Sequence, residues 1–133
     1  MTAKIEKINP STLPDAPSMG YSQITVAEGS KLIFMSGQVA WTAAGDPVPE
    51  DLAAQAKQAI ENVRAGLAAA GAAMANITSV RVYVVTPTED DWNTVFGTIM
   101  PYFEGTLPSV TALGLAALAG ADLKVEIEVS AMI

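Results

Sequence analysis

Residues 123–131 read LKVEIEVSA, and the alternation is strict. Leu123, Val125, Ile127 and Val129 fall on one side, and Lys124, Glu126, Glu128 and Ser130 on the other. Successive strand side chains point to opposite faces, so this period of two demands a sheet with one packed face. The segment 109–117, SVTALGLAA, breaks the rule. Val110, Ala112, Gly114 and Ala116 share one side, Thr111, Leu113 and Leu115 the other, and both sides are small or apolar. A strand of that kind calls for cover on both faces. The fold must therefore supply a packed layer on one face of a sheet and a second cover on the other, for which another copy of the chain is a candidate.

The packed layer is readable as helix. Leu52, Ala56, Ile60, Val63, Leu67 and Ala70 recur at spacings of three and four, which predicts a helix over 50–70. Glu50 and Asp51 sit where the helix dipole favours anions, and Gly71 suits the C-terminal cap. Gln55, Lys57, Gln58, Glu61 and Arg64 make the opposite, polar face. A second helix is expected from about Glu89 to Phe103, with Thr88 as N-cap. Residues 77–86 (ITSVRVYVVT) read as a strand with Val80, Val82 and Val84 on one face and Ser79, Arg81, Tyr83 and Val85 on the other. KIEKI at 4–8 reads as a short strand. YSQITVAE at 21–28 and LIFMSG at 32–37, separated by GSK, read as a hairpin. The loops at 9–20 and 42–49 are rich in Pro, Gly and Ser. The order β-β-β-α-β-α-β-β predicts an α+β domain over 1–133, one sheet with two helices on one face.

Composition narrows the chemistry. The chain has no His and no Cys. That excludes Ser-His-Asp triads, thiol nucleophiles, disulfides and the usual zinc sites. A general base must be a carboxylate, a lysine, a tyrosine or a water held by backbone groups. Fourteen acidic against seven basic residues give a net charge of −7. No segment concentrates Lys or Arg, which argues against nucleic acid and anionic membranes as partners. No apolar run is long enough to span a bilayer, and MTAKIEKINP lacks a signal-peptide core. The expectation is a cytoplasmic protein acting on a small molecule, with no cofactor and no metal.

Several strings, in order and across roughly the whole chain, carry a resemblance. They are MGYSQ at 19–23, MSGQ at 35–38, QAKQAIENVRAGLAAAG in the long helix and ITSVRVYVV in the following strand. WNTVFGTIMPYF at 92–103, then LPSVTALGLAAL and KVEIEVSAMI, complete the set. Together they resemble the Rid (reactive intermediate deaminase, YjgF-type) family. The resemblance implies a chorismate mutase-like fold, a homotrimer whose sheets form a central barrel, and clefts between subunits. It also implies hydrolysis of reactive enamines and imines, such as 2-aminoacrylate, to a keto acid and ammonia.

Carried over residue by residue, the resemblance makes Glu126 the catalytic group that orients or activates water. Tyr21, Ser36, Gly37, Asn93, Val110 and Ala112 become the substrate-binding positions. This chain departs from the family at Val110, where the pattern P-x-R-x-C after Pro108 becomes Pro108-Ser109-Val110-Thr111-Ala112. The family's arginine pairs at two points with a substrate carboxylate, and valine cannot. Weak or absent hydrolysis of 2-iminopropionate is therefore expected. A one-residue insertion near 119–121 is a second departure.

Plainer readings stand beside these. Glu126 and Glu128 fit a solvated strand face shared with Lys124. Tyr21 fits core packing, and Ser36 and Gly37 fit a turn. Trp41, Trp92, Phe96 and Phe103 fit core or rim packing, and Arg64 fits a solvated helix face. Arg81, mid-strand among valines, needs a partner such as Glu126 or Glu128; the sharper reading makes it a replacement carboxylate anchor. Two functions remain open: a deaminase-like hydrolase, and a non-catalytic trimeric ligand-binding or chaperone-like module.

Overall fold

In the computed structural model, which describes residues 2–133, six strands and two α-helices follow the expected order. They are β1 (Lys4–Ile8), β2 (Ile24–Glu28), β3 (Leu32–Gln38), α1 (Leu52–Ala69), β4 (Ile77–Val85), α2 (Glu89–Ile99), β5 (Ser109–Leu115) and β6 (Val125–Met132). The last turn of the second predicted helix is 3-10, over Met100–Phe103, with Pro101 near its start.

The caps are those the sequence announces. The Asp51 carboxylate accepts from the Ala54 N–H at 2.9 Å. Thr88 Oγ1 accepts from the Asp91 N–H at 3.1 Å, while Asp91 Oδ2 accepts from the Thr88 N–H at 3.0 Å, a reciprocal box. Past α1, Gly71 takes φ +80, the left-handed conformation glycine adopts without strain.

The strands do not make one sheet. β3, β6, β4 and β5 lie in that order in a four-stranded sheet, and β1 and β2 form a separate antiparallel ribbon. The expected hairpin of β2 with β3 is absent: β2 pairs with β1, and β3 pairs with β6. The chain end supplies the reason. The N–H groups of Ser30 and Lys31 both donate to the Ile133 carbonyl, at 2.8 and 2.7 Å, and Ile133 N–H donates back to Lys31 at 3.0 Å. This clamp seats the start of β3 on β6 instead of folding it back on β2. Thr25 Oγ1 donates to the Thr78 carbonyl at 2.9 Å and ties the ribbon to the sheet.

Both helices cover one face of the four-stranded sheet. Ile60, Val63 and Leu67 of α1 and Val95 and Ile99 of α2 are buried in one cluster with Val80, Val82, Val84, Val125, Ile127 and Val129. Each such side chain contributes about 1.5–3 kcal/mol on burial. Gln55, expected on the polar helix face, is instead fully buried. Its amide nitrogen donates to the Pro49 and Asp122 carbonyls, and its oxygen accepts from the Lys124 N–H, so it bolts two loops to α1. Trp41 is not core, at 55% exposure, while Phe103 is buried and Trp92 stacks on Phe96 with centroids 5.9 Å apart. Arg64 is not merely solvated: it pairs with Glu61 at 2.6 Å and lies 5.2 Å from the Tyr102 ring centroid.

The other face of the sheet carries no helix. Phe34 stands there 80% exposed, with Leu32 and Leu113 also open. β5, apolar on both sides by sequence, is at the sheet edge. No described helix is long and apolar enough to cross a membrane.

Candidate functional site

Tyr21 is placed by a tightly held loop. Ala16, fully buried, anchors it, and Gly20 turns it at φ +91. A side chain at Gly20 would also collide with Met100, since its Cβ would lie 2.8 Å from the methionine methyl. Beyond the turn, the Ser22 N–H donates to the Pro108 carbonyl at 3.0 Å, and Ser22 bridges to Ser109 at the start of β5. The Asn9 carboxamide oxygen accepts from the Gln23 N–H at 2.8 Å. The aromatic side chain is thereby set beside Val110.

α2 supplies the facing wall. Asn93 and Phe96 of α2, and Met100 at the start of the 3-10 turn that continues it, recur at intervals of three and four and so lie on one side. With Tyr21, Val110 and Ala112 they line a groove of about 500 Å³ between α2 and β5. Parallel pairing of Val110 with Val80 and of Ala112 with Val82 puts both on the helix-covered face of the sheet. Four of the expected binding residues are thus brought together: Tyr21, Asn93, Val110 and Ala112. Met19, Phe96 and Met100 also line the groove and were missed as site residues; the signal for Phe96 and Met100 was their helical spacing from Asn93.

Ser36, Gly37 and Glu126 lie elsewhere. Gly37 lies in the register shift between Met35 and Gln38 of β3, and Glu126 is on β6 opposite Tyr83. The Glu126 side chain folds over Gly37, into the volume any side chain there would take. Ser36 offers its carbonyl to the Gln38 amide at 3.0 Å. β3 and β5 are opposite edges of the sheet, three strand spacings apart. At about 4.8 Å per spacing, that puts Gly37 roughly 14 Å from β5 and Glu126, on β6 two spacings away, roughly 10 Å, and Glu126 faces the opposite side from Val110 and Ala112.

The two glutamates of β6 differ in their company. Glu128 accepts from the Tyr83 hydroxyl at 2.9 Å and lies 3.6 Å from the Arg81 guanidinium. The hydrogen bond to Glu128 holds the Tyr83 phenol above its ordinary pKa. Glu126 has no such hydrogen bond or ion pair among the described residues. Nor does it share one with Lys124, whose ammonium donates to the Glu50 carbonyl. Arg81 therefore finds its partner in Glu128. It does not line the groove but borders an adjoining polar pocket of about 340 Å³ with Tyr21, Ser79, Ser109 and Thr111. Among the described residues no cluster of His, Cys, Asp or Glu is gathered for a metal.

Comparison with known proteins agrees with this architecture. The pattern of the family described as Endoribonuclease L-PSP matches residues 13–133. A Rattus norvegicus protein named 2-iminobutanoate/2-iminopropanoate deaminase is 32% identical, spanning 99% of this chain and 93% of its own length. The Escherichia coli K12 protein of the same name is 35% identical over 76% of this chain and 79% of its own length. Among solved structures, a Yersinia pestis protein of unknown function from the conserved Rid family superposes with a TM-score of 0.91. It is 31% identical, and the match covers 97% of this chain and 98% of that one. E. coli TdcF, solved with bound serine, gives a TM-score of 0.70 at 28% identity, over 77% of this chain and 80% of its own. The chain belongs to the Endoribonuclease L-PSP family, the YjgF/Rid family that its sequence strings resemble.

Proposed function

We propose that this protein hydrolyses an enamine or imine in a cleft completed by a second copy of the chain, within a homotrimer. One copy contributes the groove of Tyr21, Asn93, Val110 and Ala112, and its neighbour contributes Gly37 and Glu126. The carrying observation is the separation of these two groups on one sheet: Val110 and Ala112 lie on edge strand β5 and its helix-covered face, while Gly37 and Glu126 lie on β3 and β6, with Glu126 on the other face. If they serve one site, a single chain cannot close it. The exposed Phe34, Leu32 and Leu113 on the helix-free face give a neighbouring copy apolar surface to cover. The names of the rat and E. coli relatives supply the reaction class.

The chemistry needs one water and one proton carrier. Glu126, as carboxylate, accepts a proton from water as the oxygen adds to the C=N carbon, giving a carbinolamine. Glu126 returns that proton to nitrogen, then carries the carbinolamine's hydroxyl proton to nitrogen as C=O forms and C–N breaks, so a carbonyl compound and ammonia leave and Glu126 is again a carboxylate. An enamine first takes a proton on carbon and enters as the imine. Glu126 suits the part because no hydrogen bond or ion pair among the described residues occupies it, whereas Glu128 is committed to Tyr83 and Arg81. Despite the family's description, a net charge of −7 with no segment rich in Lys or Arg argues against an RNA substrate.

The test joins two measurements. Light scattering at micromolar concentration should give three times the chain mass. Ammonia release from imines generated in situ should exceed the spontaneous rate and fall by about 10²-fold or more in Glu126→Gln. A monomer would remove the shared cleft. An oligomer with no Glu126-dependent release from any imine would leave the binding-module reading.

A further inference from the structure

The groove between α2 and β5 carries no cation. The seven Lys and Arg residues are Lys4, Lys7, Lys31, Lys57, Arg64, Arg81 and Lys124, and none of them lines it. Its walls are the thioethers of Met19 and Met100, the Phe96 ring, and the aliphatic side chains of Val110 and Ala112; Tyr21 and Asn93 are its polar side chains. α2 begins with Glu89, Asp90 and Asp91. Glu89 and Asp90 precede Asn93 by four and three residues, which puts them on its side of the helix.

We propose that this groove selects an uncharged ligand with a hydrocarbon or aromatic body and rejects the carboxylate form of the same molecule. This rests on the reading of the groove as the substrate side of an imine-hydrolysing cleft, and it names the substrate class: imines and enamines without a carboxylate. The apolar body lies against Phe96, Met100 and Val110. Asn93, with an amide donor and acceptor, and the Tyr21 hydroxyl receive the one polar end. A carboxylate entering here would leave water for a wall that offers no counter-charge. A volume of about 500 Å³ admits a body larger than a two- or three-carbon acid. Met19, largely exposed at this groove, is a flexible side chain able to close on such a body.

The probes are 3-phenylpropanamide and 3-phenylpropanoate, equal in shape and stable to hydrolysis, titrated into the intact protein by calorimetry. The amide is expected to bind at least about tenfold more tightly than the acid. Val110→Arg is expected to reverse the order, because a guanidinium at this position supplies the missing partner. In wild-type protein labelled at the methionine methyls, the amide should shift the NMR signals of Met19 and Met100 and leave Met35 in place. That readout needs no variant and stands even if Val110→Arg fails to fold. Acid binding as tightly as amide, neither probe binding at millimolar concentration, or unmoved Met19 and Met100 signals would each overturn the proposal. These outcomes are independent of turnover. Loss of Glu126-dependent ammonia release with the amide preference intact would sink the hydrolase reading and leave the ligand class standing.

Discussion

The carboxylate of Glu126 occupies the space where a side chain at Gly37 would be: a Cβ built on Gly37 would stand 2.5 Å from Oε1 and 2.6 Å from the carboxyl carbon. No positive φ is involved, so glycine is needed here for room. Gly37→Ala is expected to push the carboxylate aside. The displaced atoms are the far end of a flexible side chain, so stability should change by no more than about 1 kcal/mol. Imine hydrolysis should drop at least about tenfold, since a misplaced general base loses its alignment with water. Thermal unfolding and ammonia release, measured together, check this. Unchanged activity would show that Glu126 does not act from this position.

Phe34 is 80% exposed on the helix-free face of the sheet. Phe34→Glu is expected to convert the oligomer to a monomer at micromolar concentration while leaving the far-UV circular dichroism unchanged. A carboxylate buried against an apolar neighbour costs several kcal/mol, more than one such contact contributes. Light scattering of the variant decides; an intact trimer would place the interface elsewhere.

Gln55 holds the Pro49 and Asp122 carbonyls at 2.8 and 2.9 Å and accepts from the Lys124 N–H at 2.8 Å. Gln55→Leu keeps the volume and strands all three groups. The expected loss is about 2–4 kcal/mol, read as a lower urea midpoint at constant slope. A loss under about 1 kcal/mol would mean that water replaces the amide.

Two phenols are tied to carboxylates, and the sign of the linkage follows. The Tyr83 hydroxyl donates to Glu128, and the Tyr102 hydroxyl donates to Glu61 at 2.7 Å; in both cases that hydrogen bond raises the phenol above its ordinary value of 10.0. The stability they contribute is fully present below about pH 10 and is lost as pH rises through the raised values. Glu61 moves the other way, lowered first by the Tyr102 hydrogen bond. Its contribution holds above the ordinary 4.5 and is lost as pH falls through the lowered value. Ultraviolet titration at alkaline pH should show Glu128→Gln returning one tyrosine toward 10, and Glu61→Gln another. A tyrosine unmoved by removal of its carboxylate would break the pairing.

Much of the fold was legible because it rests on local rules. The strict alternation of 123–131 foretold β6, and the stripe from Leu52 to Leu67 foretold α1. Thr88 and Asp51 announced their caps, because a cap is a bond between near neighbours. Even the partner of Arg81 was narrowed to two glutamates, since a charge among valines needs one. Asn93, Phe96 and Met100 were on one helical face for anyone counting by three and four.

Other features depended on which segments meet. β2 and β3 carry strand patterns separated by a short turn, and nothing in those residues reveals that Ile133, a hundred positions away, claims the N–H groups of Ser30 and Lys31. Gln55 looked solvated, because a polar side chain is buried only where distant loops, here Pro49 and Asp122, supply its partners. The candidate site shows the same division. Sequence alone determined which residue types were available: no histidine, no cysteine, and valine at 110. Tertiary structure decided that Tyr21, Asn93, Val110 and Ala112 share a groove while Gly37 and Glu126 meet on the adjacent strands β3 and β6. Strand order places them, and strand order is set by long-range pairing that no local pattern encodes.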